Sequence, residues 1–305
     1  FTGADFLSAG EGTAFYHLKA QPDVGVLVFH TFSASPITGV GTIVNGLKEF
    51  HASGVTKLAI VLQGNPGGFV NLAANIVNTF SSSNEFLVTN LASDPCVTPV
   101  IQQLAAQTFG KSCNLFTQYI DFGNNNQAYT DDSLFSQPVT YTRSGRNSQY
   151  TQRTTITTAL APSDPALVTF AWTNNTANIR ILTDGRCGSS YAIVAHHLAN
   201  IHKVQAYEIG GSSGTALSMY SFAGGIVSDD QKIGAIYAQV KLASPLKPLP
   251  NASLVGLPIL DISGHGRAVP LEYDAAFYPA AYRMPYTPLN SRDRYVMWGE
   301  VASDA

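Results

Sequence analysis

Two rhythms of apolar spacing organise this chain. Val24–Phe29 (VGVLVF) and Lys57–Leu62 (KLAIVL) are short, nearly unbroken runs of branched residues, which read as buried strands. Between them Val40, Ile43, Val44, Leu47 and Phe50 recur every three or four positions. That stripe predicts an amphipathic helix over Thr38–Phe50, ended by Gly54. After the second run comes Gln63-Gly64-Asn65-Pro66-Gly67-Gly68, then a second helical stretch, FVNLAANIVNTF. Strand, helix, strand, helix with short joints predicts α/β architecture, a parallel or mixed sheet covered by helices.

Further along, Val97–Phe109 reads as a helix. Gly123–Pro165 is polar and reads as an insertion or long surface excursion. Strands are expected at Val168–Trp172, Asn178–Leu182, Val204–Ile209, Ala216–Phe222 and Ala235–Leu242. Phe1–Gln21 shows no strong period, and the C-terminal part is expected to wrap aromatic residues over the core.

The richest stretch is ILTDGRCGSSYAIVAHHL, residues 181–198. A strand end runs into a small-residue corner, a serine follows, and Ile193, Val194 and Leu198 then take helical spacing. Such a corner can present the Ser189 hydroxyl and leave the next backbone N–H groups open to an oxyanion. It equally suits a serine that only caps the helix. Both glycine-bearing corners, 64–68 and 185–190, fall at carboxyl ends of strands, where ligands gather in such sheets.

Composition narrows the classes. The chain has 305 residues, 45% hydrophobic and 12% charged, with a net charge of −3. No basic cluster offers a nucleic acid its phosphate contacts. No apolar run approaches the ~20 residues of a membrane span. The sequons at Asn174 and Asn251, with few Lys and Arg, point to a secreted, extracellular glycoprotein. Cys96 and Cys113 could pair across the helical segment between them, leaving Cys187 as an odd thiol and a weaker nucleophile candidate. No CxxC or HxxxH pair suggests a metal, and no cofactor is expected.

The stretches KLAIVLQGNPGGFVNLAANIVNTF, ILTDGRCGSSYAIVAHHL and YEIGGSSGTALSMYSFAGG, in this order, resemble signatures of the tail-specific, or C-terminal processing, serine peptidases. The C-terminal PLEY…YPAAYRMPYT…MW resembles secreted fungal members of the chlamydial-protease-like (CPAF-type) branch. The resemblance implies a crotonase/ClpP-like β-β-α core of mixed sheet covered by helices. It implies a catalytic domain over 24–305, with the insertion around 123–165. It also implies that 1–23 is a lead-in left after an upstream PDZ-like region. The nucleophile would be Ser189, and the oxyanion donors would be the N–H of Gly67 or Gly68 and that of Ser190. Bacterial members use a lysine base, but Val204–Gly225 contains none. The CPAF-type branch uses Ser-His-Glu with its histidine upstream of a PDZ-like domain, so the resemblance implies that this chain begins after that position.

His30 ends a predicted strand on the side of the two corners, so it is a base candidate or a hydrogen-bonded strand end. The alternative is an upstream segment, with Phe1 a processing junction and an N-terminal fragment of the same precursor as partner. His196 and His197 lie two helical turns beyond Ser189 and point away from it. Glu272 is the carboxylate candidate, ahead of Asp274 and Asp261, and Asp184 braces its turn. The expected function is serine endopeptidase action on a peptide or protein. The competing readings are a peptide-binding or scaffold relative that has lost the base, and a crotonase-type acyl-CoA enzyme, which lacks basic residues near the corners.

Overall fold

The computed structural model describes residues 3–80, 92–108, 119–121, 127–129, 131–143, 145–156, 170–173, 175–211, 217–221, 226–245, 247, 249–250, 256–263 and 279–303. The chain divides into two compact units, one of residues 1–88, 158–224 and 275–305, the other of 89–157 and 225–274.

The first unit is a mixed α/β layer around a seven-stranded sheet. Its strands are β1 (Ala4–Gly10), β2 (Thr13–Leu18), β3 (Gln21–Phe29), β4 (Lys57–Val61), β5 (Ile179–Thr183), β6 (Gln205–Ile209) and β7 (Tyr282–Met284). They lie side by side in chain order. The first three pair antiparallel, and β3 to β7 run parallel. The parallel strands are apolar on both faces because helices cover both. Val24, Val26, Val28, Ala59, Val61, Leu182, Tyr207 and Ile209 pack on one face with Met297, Trp298 and Val301 of helix α4 (Arg294–Ser303). The other face carries α1 (Pro36–Ala52), α2 (Val70–Phe80) and α3 (Ser190–His196), which touch in sequence.

The helices form as their stripes predict. In α1, Ile43, Leu47 and Phe50 are buried, Pro36 opens the helix, and Gly54 follows its end at φ 84°. A Cβ on Gly46 would lie 2.3 Å from the Phe15 ring, so this glycine lets the helix sit down on β2.

Several expectations are corrected. Residues before Gln21 form β1 and β2, joined by Glu11 and Gly12 with φ of 52° and 76°. β1 is exposed along much of its length, Phe6 and Leu7 included, so burial does not impose a regular apolar pattern on the edge of the sheet. Ala235–Leu242 is no strand: Asp230–Gln239 is a helix, and Ile233, Ile236 and Tyr237 bury its face at helical spacing. Residues 170–173 are turns, not strand, although Phe170 and Trp172 are buried. Of 216–222, the described part is bends with a single bridge from Ser218 to Pro279. Trp298 is 2% exposed, inside the core rather than over it.

The second unit contains helices Pro99–Thr108 and Asp230–Gln239 and a six-stranded sheet. The polar excursion contributes a hairpin, Val139–Arg143 with Arg146–Tyr150. Arg143 forms an ion pair with buried Asp94 and stacks over Tyr150.

Candidate active site

Each corner arises where a parallel strand ends and its chain must reverse into a helix on the same face. At the first, Gly64, Gly67 and Gly68 have φ of 66°, 95° and 146°. Glycine reaches these angles without the clash that a Cβ brings. Asn65, fully buried, holds the turn: its Nδ2 donates to the Phe29 carbonyl (3.2 Å), and its Oδ1 accepts the Gly67 N–H (2.8 Å). Phe32 N–H donates to Gly67 O, and Phe69 N–H to Phe32 O. Asn65→Ala would leave a buried donor and a buried acceptor unpaired, each worth about 1–3 kcal/mol. We expect it to lower stability by roughly 2–4 kcal/mol, read from the urea midpoint, with Asn65→Asp no milder, because its buried carboxylate keeps the acceptor but faces the Phe29 carbonyl oxygen.

The second corner is braced from its own side chains. Thr183 Oγ1 donates to Met219 O (2.7 Å), and the hydroxyl of fully buried Tyr191 donates to Thr183 Oγ1 (2.6 Å). Asp184 Oδ1 accepts the Arg186 N–H and the Cys187 thiol, the bracing role its position suggests. Ser221 donates through both N–H and Oγ to Cys187 O.

Ser189 then stands at φ 58°, ψ −135°, a left-handed conformation that non-glycine residues adopt only under strain. The side chain is half-buried and makes no capping bond, although the residue occupies the N-cap of α3. Among the described residues its hydroxyl has no hydrogen bond. A serine placed for capping would bond the first turn, and this one does not. Strain at a strand-to-helix serine is how a nucleophile is pushed out of the backbone.

The two corners meet. A Cβ on Gly67 would lie 2.8 Å from both Gly188 O and Ser189 Cβ, and 3.2 Å from Ser190 N. Gly67 N–H is already engaged by Asn65, whereas the N–H groups of Gly68 and Ser190 donate to nothing among the described residues. Each corner thus keeps one backbone donor open, Gly68 N–H on the first and Ser190 N–H on the second. Among the described residues the buried Ser190 hydroxyl has no partner.

His30 lines a depression that also includes Gln63 and Gly64 of the first corner and Asp184 of the second. Side chains alternate along a strand, and Val24, Val26 and Val28 face α4. Two residues on, His30 lines a cavity with Val28, Met297 and Trp298, on the α4 side, and no described hydrogen bond joins it to Ser189. The sequence shows which end of the strand it occupies, and the packing of α4 shows which face it takes. His196 and His197 are buried in α3 and the π turn after it. Glu272, Asp274, Asn174, Asn251 and Cys113 lie outside the described residues, as does the side chain of Asp261.

Glu208 was not foreseen. It sits on β6 opposite Thr183, 1% exposed, as the one charge in a buried strand, which was the available signal. Burial pushes its carboxyl up, against the pull of Arg283 and of the Leu217 N–H.

Cys187 is fully buried and donates to Leu62 O, and burial, with Asp184 beside it, pushes its thiol from 9.0 up to about 12. The fold holds the neutral thiol, so its contribution to stability is intact below pH 9.0 and is lost as pH rises towards about 12. Iodoacetamide at pH 8 should leave Cys187 unmodified in the native protein and label it in urea, as peptide mass mapping would read. Among the described residues no cluster of three or more His, Cys, Asp or Glu could hold a metal, and no helix is long and apolar enough to cross a membrane.

No family model matches the chain, and none of the curated proteins does. Among solved structures it is similar to a candidate peptidase from Parabacteroides merdae, with a TM-score of 0.47 and 12% identity, over 99% of this chain and 67% of that one. It is similar to mature CPAF, with a TM-score of 0.44 and 15% identity, over 98% of this chain and 52% of that one. For the photosystem II D1 C-terminal processing protease the TM-score is 0.37 and the identity 10%, over 92% and 47%. The chain thus spans about half the length of the latter two. Likeness at this level carries nothing about chemistry, which rests on the corners themselves.

Proposed function

We propose that this chain carries the nucleophile and oxyanion site of a serine peptidase acting through an acyl-enzyme at Ser189. The observation that supports it most is the strained, uncapped Ser189 against Gly67, with the N–H groups of Gly68 and Ser190 open beside it. In this reading the Ser189 oxygen attacks a peptide carbonyl and gives up its proton to a base. The carbonyl oxygen takes the negative charge between the two N–H donors. Collapse expels the amine as it takes that proton, and water then releases the acyl group.

The base is a histidine oriented by a carboxylate, and Glu272 is retained as that carboxylate. Because His30 faces α4, a histidine from a second segment of the precursor, docked at the corner, suits the proposal better. A cavity of about 490 Å³, lined in part by Arg186, Leu217, Tyr220, Ser221 and Tyr286, lies beside the corner and can receive a substrate side chain. Export from the cell, with glycans on Asn174 and Asn251, completes the picture.

The second reading, a peptide-binding relative without catalysis, draws on the absence of a hydrogen-bonded base at Ser189 among the described residues. A fluorophosphonate probe, applied to the chain together with the precursor segment that would carry the histidine, separates the two. Covalent adduct on the Ser189 peptide supports the peptidase, and an unlabelled native protein supports the binding module.

A further inference from the structure

On the α4 side of the strand ends is a second depression, of about 370 Å³. Its wall includes Gln63 and Gly64, which open the glycine corner, and His30, Arg292, Arg294 and Trp298. Arg292 and Arg294 are exposed, and among the described residues neither guanidinium takes part in an ion pair or hydrogen bond. Trp298 forms an apolar part of the wall and is 2% exposed. One carboxylate, Asp184, also lines the depression, its Oδ1 turned to Arg186 N–H and the Cys187 thiol, and Asp293 Oδ1 accepts the Tyr295 N–H. In a chain of net charge −3, one depression gathers two guanidiniums without an ion pair among the described residues and an imidazole, against the one carboxylate of Asp184.

We infer that this depression is a carboxylate-binding subsite for a peptide substrate, favouring an acidic side chain. Guanidinium groups match a carboxylate with two parallel N–H donors, and the pairing is stronger than a neutral hydrogen bond. The occupant is part of a peptide because the depression shares Asp184 and Tyr286 with the cavity beside the serine corner. One extended chain can therefore reach both. His30 takes a place here as an anion contact. This inference rests on the peptidase reading for the identity of its ligand but not for its test.

The test uses Ser189→Ala protein, so that turnover plays no part, and three dye-labelled hexapeptides read by fluorescence anisotropy. One carries Glu and an amidated C-terminus, one has no acidic residue and a free C-terminus, and one has neither carboxylate. The amidated Glu peptide should bind about tenfold or more tighter than the peptide lacking both. That preference should fall about tenfold in Arg292→Met/Arg294→Met. Both arginines are exposed, so the variant should fold, and the single Arg292→Gln and Arg294→Gln variants should show the same trend to a smaller degree. Preference for the free C-terminus, lost in the same variants, supports the subsite with a terminal carboxylate as its ligand. Equal binding of all three peptides, or a preference that survives the double variant, overturns it. If Ser189 reacts with a fluorophosphonate while this binding fails, only the subsite falls; binding without reaction removes the peptidase reading instead.

Discussion

Ser189→Ala should reduce peptide hydrolysis by about 10³-fold or more and abolish fluorophosphonate labelling, with the fold intact. The loss follows from chemistry alone, since alanine has no oxygen to form the acyl bond. Its backbone demands are those of serine at φ 58°, so stability should hardly change. Ser189→Gly sharpens the result. Glycine adopts the left-handed conformation without the Cβ clash, so this variant should be about 1 kcal/mol more stable while equally inactive. A gain in melting temperature with complete loss of activity would mark Ser189 as a residue strained for its chemistry. Undiminished hydrolysis by either variant would remove the nucleophile from this position.

Gly68→Ala is expected to be the most damaging single change to the fold of the site. Gly68 is at φ 146°, and a Cβ there would stand 2.2 Å from the Phe32 carbonyl carbon and 2.3 Å from its oxygen. The neighbour is backbone and cannot turn aside as a long side chain would. Relief must come from breaking the Phe32–Gly68 bridge, which anchors the glycine corner to the residue beyond β3. A loss of about 4 kcal/mol or more is expected, with activity lost even where the protein remains folded. Gly64→Ala is the matched control. Its φ is 66°, but nothing lies within 4 Å of the added Cβ, so only the conformational cost of about 1 kcal/mol applies. Urea melts of the pair would separate strain from contact; equal losses would contradict the close approach at Gly68.

Much of the sheet was legible in the chain because its central strands are buried on both faces. Such strands concentrate branched apolar residues into runs that few other elements produce. Helix α1 was legible for a related reason, burying one stripe, and α2 from its apolar run after the glycine corner, since it is covered on nearly every side. The hairpin of β1 and β2 was not, because an edge strand is half polar and its turn, Glu11-Gly12, carries little beyond one glycine. The Asp230–Gln239 helix read as strand because a run as short as Ala235–Leu242 does not discriminate between periods of 2 and 3.6.

At the site the division follows the range of the interactions. The sequence by itself determined that two strand ends turn through glycine-bearing corners and that one delivers a serine to a helix. Both are local, since turn conformation depends on which residues can reach positive φ. Only the tertiary structure decided that Gly67 lies against Ser189, that Asn65 takes up the Gly67 N–H, and that His30 faces α4. Gly67 and Ser189 are separated by more than a hundred residues, and what joins them is the parallel pairing of β4 with β5. That pairing is set by the register of a whole sheet and by which face each side chain takes, quantities that no single stretch of sequence contains.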